Sequence, residues 1–183
     1  VVLILLICGV VFVGTLGDYL QDDILTEASD WSIDDYDLEK TSFLYYVDND
    51  GNIQQLQQIY TTTDRQIATL DEIPQDLINA TIAIEDKRFY EHQGVDWITT
   101  VKACMNMFFG GDSQFGGSTI TQQLIKNVSQ ENSITVQRKV MEIFRAQMFE
   151  KQYDKDVIMK EYLNRIYLGK GCYGVKSAAA AYF

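Results

Sequence analysis

Two stretches in the second half of this 183-residue chain repeat their apolar residues at the helical period, and any fold must lay something over each stripe. Ile120, Leu124 and Val128 share one side of the first. Val136, Val140, Ile143, Phe144 and Met148 line the second, which runs from Thr135 to Lys151. The opposite faces are polar in a specific way: Thr119, Gln122 and Lys126 fall together on the first helix, and Arg138, Glu142 and Arg145 on the second, with Lys139 at the margin. Such faces read either as donors and cations gathered for an anionic ligand, or as an exposed i, i+4 salt bridge worth only about 0.3 to 0.5 kcal/mol.

Further helices are expected from Pro74, the single proline, with Asp76 in its first turn, and over Trp97–Phe109, Asp154–Leu163 and the small-residue segment Val175–Phe183. Gly116 and Gly117 lead into the helix of Ile120, with Ser118 as the expected cap. The apolar stretch ending in Cys104-Met105-Asn106-Met107-Phe108-Phe109 reads as core or as a patch partly embedded in a membrane. One hairpin is expected where Ser42–Val47 and Ile53–Thr61 flank Asp48-Asn49-Asp50-Gly51-Asn52. A calcium loop there is excluded, because aligning Gly51 to the loop glycine puts Tyr46 and Gln57 where the first and last acidic ligands belong. The fold class is therefore mainly α with a small β-hairpin. Three cysteines, Cys8, Cys104 and Cys172, make no disulfide framework and are expected to be free.

The start of the chain has a different character. Val1 to Gly17 carries no charge and is rich in Leu and Val, which fits a transmembrane anchor, since about 20 apolar residues cross a bilayer. A signal-peptide core is the alternative. Asp18 to Glu39 then holds nine acidic residues and no basic one, so this flank belongs on the outer side of the membrane, as an acidic linker over 18–41. The net charge of −11 divides unevenly: −15 up to Ile125 and +4 from Lys126 onward. An anionic ligand is expected to meet the second part.

The densest chemistry lies between Ile84 and Asp96. Two adjacent carboxylates, Glu85 and Asp86, the cations Lys87 and Arg88, the aromatics Phe89 and Tyr90, and the only histidine, His92, follow directly on the apolar run Leu77–Ile84. Glu85 is the expected catalytic residue; His92, beside a glycine turn, reads first as a hydrogen-bonded scaffold residue and second as a proton carrier. Gly169-Lys170-Gly171-Cys172-Tyr173-Gly174 spells G-x-G-x-x-G, but a charged helix precedes it where the dinucleotide fingerprint requires a buried strand. The glycines read instead as a tight connection into the last helix.

Five blocks agree in order and spacing with one family. The chain resembles the peptidoglycan glycosyltransferase domain of glycosyltransferase family 51, found in class A penicillin-binding proteins and monofunctional transglycosylases. The first block is Glu85-Asp86 through Phe89, His92 and Gly94, and the second is Gly117-Ser118-Thr119-Ile120-Thr121-Gln122-Gln123 with Lys126. Arg138-Lys139 plus Glu142 form the third; Tyr162-Leu163-Asn164 with Tyr167 and Gly169 the fourth; Gly171, Tyr173, Gly174, Ala178-Ala179 and Tyr182-Phe183 the fifth. Leu168 and Cys172 depart from the usual pattern, at uncharged positions.

The resemblance covers roughly 42–183 and implies a lysozyme-like helical domain that polymerises lipid II, with the lipid-linked glycan chain as donor. By the same resemblance Glu85 and Glu142 are catalytic. Asp86, Lys87, Arg88, Phe89, His92, Ser118, Thr119, Gln122, Gln123, Lys126, Arg138, Lys139 and Asn164 hold the substrate. Glu142 either orients the cations or binds Mg²⁺ or Mn²⁺ bridging the phosphates. The implied setting is the extracytoplasmic face of a bacterial cell membrane, with cell-wall or division proteins as further partners and no nucleic acid. Two rivals stay open. A lysozyme-like hydrolase or lytic transglycosylase shares the fold but has no pyrophosphate to stabilise. An inactive membrane-tethered module that holds lipid II would not need both Glu85 and Glu142.

Overall fold

The structure is a computed structural model describing residues 33, 41–59, 64–109, 116–129 and 135–183. The expected anchor at 1–17 and all of the acidic linker other than Ile33 and Thr41 lie outside the described residues. No helix among the described residues is long and apolar enough to cross a membrane.

Strands β1 (Ser42–Val47) and β2 (Ile53–Ile59) form the expected antiparallel hairpin, with a bulge between Leu44 and Tyr45. Its turn closes because Asp48 Oδ1 accepts the N–H groups of Asp50 and Asn52 at 3.0 and 2.8 Å, the local pairing that suits Asp to turns. The strands β3 (Asp64–Arg65) and β4 (Cys172–Tyr173), too short to announce themselves in the sequence, pair in parallel. They fasten the segment before the first helix to the Gly169–Gly174 turn. That turn is a connection, as expected, and Cys172 in it is a buried free thiol.

Six α-helices and a 3₁₀ turn over Leu70–Glu72 complete the described architecture: α1 (Gln75–Glu85), α2 (Trp97–Phe109), α3 (Ile120–Ser129), α4 (Val136–Gln152), α5 (Lys155–Arg165) and α6 (Val175–Tyr182). Helix α3 is the centre. Ile120, Leu124 and Ile125 are almost wholly buried, packed with Phe149 of α4 and with Ile158, Met159, Tyr162 and Leu163 of α5. Ile33, inside the stretch read as linker, is also buried in this core. Gly94 lets the loop before α2 press on α4: its φ is +85°, and a Cβ there would lie 2.6 Å from the Ala146 carbonyl. Gly174 plays the same part against Asn164, with φ +86° and 2.8 Å to the Asn164 oxygen.

Two elements depart from their amphipathic reading. In α4 the innermost residues are Ala146 and Phe149 together with Glu142 and Arg145, whereas Val140, Ile143, Phe144 and Met148 are only half-buried. The polar face is turned inward, which is tolerable because Glu142 is neutralised locally by two cations. In α2 the apolar residues Trp97, Ile98, Val101 and Met105 each expose more than half of their surface, so they are not core. The cap of α3 is also shifted by one residue from the expected Ser118.

Candidate active site

That shifted cap builds one wall of the site. Thr119 Oγ1 accepts the Gln122 N–H at 3.2 Å, and Gln122 Oε1 accepts the Thr119 N–H at 3.0 Å, a reciprocal capping box that requires Gln three residues after the cap. Ser118 stays free of capping and turns its hydroxyl to Lys139 Nζ at 2.9 Å. Thr119 also donates to the Gly94 carbonyl at 2.6 Å, tying α3 to the loop that follows α1.

Glu85 is the last residue of α1, and the chain leaves the helix at Asp86 in a non-helical conformation (φ −156°, ψ 78°). This gives the two adjacent carboxylates different surroundings. Glu85 is exposed to a cleft, where Gln123 Nε2 donates to its Oε2 at 2.9 Å. Asp86 is buried: it faces His92 Nε2 at 2.9 and 3.1 Å and accepts the Ile120 N–H at 3.0 Å, at the positive end of the α3 dipole. His92 turns its other ring nitrogen, Nδ1, into the interior, where it has no hydrogen-bond partner among the described residues. The pair therefore holds the loop to α3.

Glu85 opens on a cavity of about 1120 Å³, whose lining includes Asp86, Lys87, Arg88, Thr99, Lys102, Ser118, Gln122, Gln123, Lys126 and Glu142. Such a volume exceeds what a drug-sized ligand needs and suits an extended one. Glu142 is 5% exposed and receives Arg138 Nη1 at 2.8 Å and the Lys139 ammonium. The ion pair is thus half-buried at the cleft and is no exposed surface bridge. Lys126 is exposed and makes no ion pair among the described residues. Gln122 is wholly buried, its Nε2 without a partner among the described residues.

Phe89 and Asn164, expected to touch substrate, lie in the scaffold. Phe89 is fully buried with Lys155 Nζ 4.4 Å from its ring centre. Asn164 holds the Ala68 N–H and carbonyl at 2.8 and 2.9 Å, pinning the segment before α1 to α5. One participant escaped sequence reasoning. Asp96 binds the Arg88 guanidinium through Nε, 2.9 Å from Oδ2, and through Nη2, and accepts the Thr99 N–H and hydroxyl at 3.0 and 2.6 Å. Its burial opposes ionisation, but the Thr99 hydroxyl and amide and the Arg88 charge outweigh that and hold the carboxyl at about 2.

The family described as Transglycosylase matches residues 51–183, which include every residue of this cleft. The chain belongs to that family. This transglycosylase domain is 44% identical over 119 residues to penicillin-binding protein 1A of Aquifex aeolicus (strain VF5), covering 65% of the chain and 16% of that protein. It is 42% identical over 144 residues to penicillin-binding protein 1A of Escherichia coli (strain K12), covering 73% of the chain and 17% of that protein. A monofunctional glycosyltransferase of Staphylococcus aureus (strain JH9) is 39% identical over 140 residues, 76% of the chain and 51% of the relative. The transglycosylase domain thus spans less than a fifth of these penicillin-binding proteins and about half of the monofunctional relative.

A divalent ion has a narrow foothold in this domain. No three Asp, Glu, His or Cys side chains gather as a metal site among the described residues, and both oxygens of Glu142 are engaged by Arg138 and Lys139. Mg²⁺ or Mn²⁺ normally takes several oxygen ligands, so one carboxylate does not make a site without substrate oxygens.

Proposed function

We propose that this domain polymerises lipid II into glycan strands by inverting transfer, with Glu85 as general base. The observation that carries the reading is one cleft holding two unlike carboxylates: Glu85, exposed and engaged by a single amide, and Glu142, buried and carrying two cations. The acceptor sugar's 4-hydroxyl attacks the donor's anomeric carbon. The new carbon–oxygen bond forms as the bond to the pyrophosphate oxygen breaks, and the hydroxyl proton passes to Glu85. Attack from the side opposite the leaving group converts an α-linkage into a β-linkage. A positioned base contributes about 10² to 10⁴ in rate, roughly 3 to 5 kcal/mol of barrier.

The departing pyrophosphate gains negative charge, and preorganised cations stabilise it. Glu142 keeps Arg138 and Lys139 beside the cleft for this purpose, Ser118 orients Lys139, and Lys126 adds an exposed charge in the cleft lining. Side chains do the neutralising in this scheme, and an ion at Glu142 would compete with them. A hydrolase needs no such cation cluster, and the relative named monofunctional glycosyltransferase also favours transfer. The exposed stripe Trp97, Ile98, Val101 and Met105 supports partial embedding of α2 in the outer leaflet of the membrane that carries the lipid substrate.

The decisive experiment incubates the protein with lipid II, with and without EDTA, and separately with purified cell wall. Glycan polymer from lipid II is expected in both EDTA arms, and cell-wall cleavage with lipid II left intact would overturn the proposal. Glu85→Gln is expected to lower polymerisation by about 10² to 10⁴ while leaving the fold intact. Wild-type-like polymer from that variant would remove Glu85 from the role.

A further inference from the structure

Gln123 does not stand alone behind Glu85. Its Oε1 lies 3.1 Å from the hydroxyl of Tyr162 on α5, so a single chain of hydrogen bonds runs from the core through α3 to the cleft. The direction of that chain follows from chemistry. An ionised carboxylate only accepts, so the amide must offer Glu85 its NH₂ and keep its carbonyl for Tyr162, which then donates. Tyr162 is 1% exposed, and burial, with the Glu85 charge behind it, pushes its hydroxyl above the ordinary tyrosine range, so it remains a donor at any working pH. If the amide turned over, its carbonyl would face the carboxylate and repel it. Among the described residues the Gln123 bond is the one hydrogen bond to Glu85.

We propose that Tyr162 is a positioning residue for the general base: through Gln123 it fixes one oxygen of Glu85, leaving the other to meet the acceptor hydroxyl. This rests on the reading of Glu85 as base. Tyr162 is absent from the cavity lining. Its effect therefore belongs to the chemical step and not to binding.

Tyr162→Phe keeps the ring and removes the hydroxyl. In the full chain acting on lipid II, kcat is expected to fall about 10- to 100-fold with KM within about twofold. Gln123→Met, which changes no core side chain but leaves the buried Tyr162 hydroxyl unpaired, is expected to lower kcat at least as far, and adding Tyr162→Phe to it to cost nothing more in kcat. The side-chain amide resonances of Gln123, assigned by their loss in Gln123→Met, should move in Tyr162→Phe. Unchanged kcat in Tyr162→Phe, an equal loss in both backgrounds, or unmoved amide resonances would each overturn the proposal. Should the wild-type chain fail to polymerise lipid II, the proposed function falls, and the amide resonances still decide whether Tyr162 holds Gln123.

Discussion

Asp96 and Arg88 are eight residues apart, a spacing that neither helical nor strand periodicity brings together, so nothing in the sequence pairs them. The turn at Gly94 does, and it needs a glycine both for its positive φ and for its approach to Ala146. The pairing has a measurable consequence. The Asp96 carboxyl is held at about 2 against an ordinary value of 3.8, so its contribution to stability is complete above pH 4 and fades as the pH falls toward 2. That difference corresponds to on the order of 2 kcal/mol. Asp96→Asn is expected to lose about that much at pH 7 by chemical denaturation, with the gap to wild type closing near pH 2. A gap that persists undiminished at pH 2 would mean that packing, and not charge, accounts for the loss. The catalytic candidates were more legible: Glu85 and Asp86 stood out as adjacent acids. Their division into an exposed carboxylate and a buried anchor depends on the chain leaving α1 between them.

At the level of elements, α3 shows how local chemistry decides a boundary. Ser118 and Thr119 are both good caps, but only Thr119 has Gln122 three residues on, and the reciprocal box moves the helix start to Ile120. Because the same hydroxyl also reaches the Gly94 carbonyl, Thr119→Ala is expected to cost about 1 to 2 kcal/mol. For a domain of this size that lowers the melting temperature by roughly 2 to 8 °C. Thr119→Ser should recover most of it. Helix α4 shows the opposite case. Its apolar stripe predicted a buried face and left its charges either solvated or gathered for an anion, and in the fold Glu142 and Arg145 are nearly inaccessible while Phe144 and Met148 are only partly buried. A hydrophobic pattern reports which residues prefer burial; a carboxylate paired to two cations recovers part of the desolvation cost that the pattern counts against it.

Over the whole molecule, the two unlike parts of the charge distribution meet at the cleft. The acidic first part approaches the cleft through Glu85, and the positive second part contributes Lys126 and, around Glu142, Arg138 and Lys139. If these side chains capture the pyrophosphate, raising monovalent salt from about 0.1 M to about 1 M, which shortens the screening length from about 10 to 3 Å, should raise KM severalfold with a smaller effect on kcat. A KM indifferent to salt would argue that the lipid and sugars, and not the phosphates, hold the substrate. The sequence by itself determined the helical class, the hairpin and its turn, and the gathering of carboxylates after α1, because propensity, period and turn chemistry act within a few residues. Only the tertiary structure decided that Asp86 and Phe89 face inward, that α4 sets Glu142 at the cleft with Arg138 and Lys139 paired to it, and that Tyr162 stands behind Gln123. Those arrangements join residues tens of positions apart, and their energies exist only once the helices are packed.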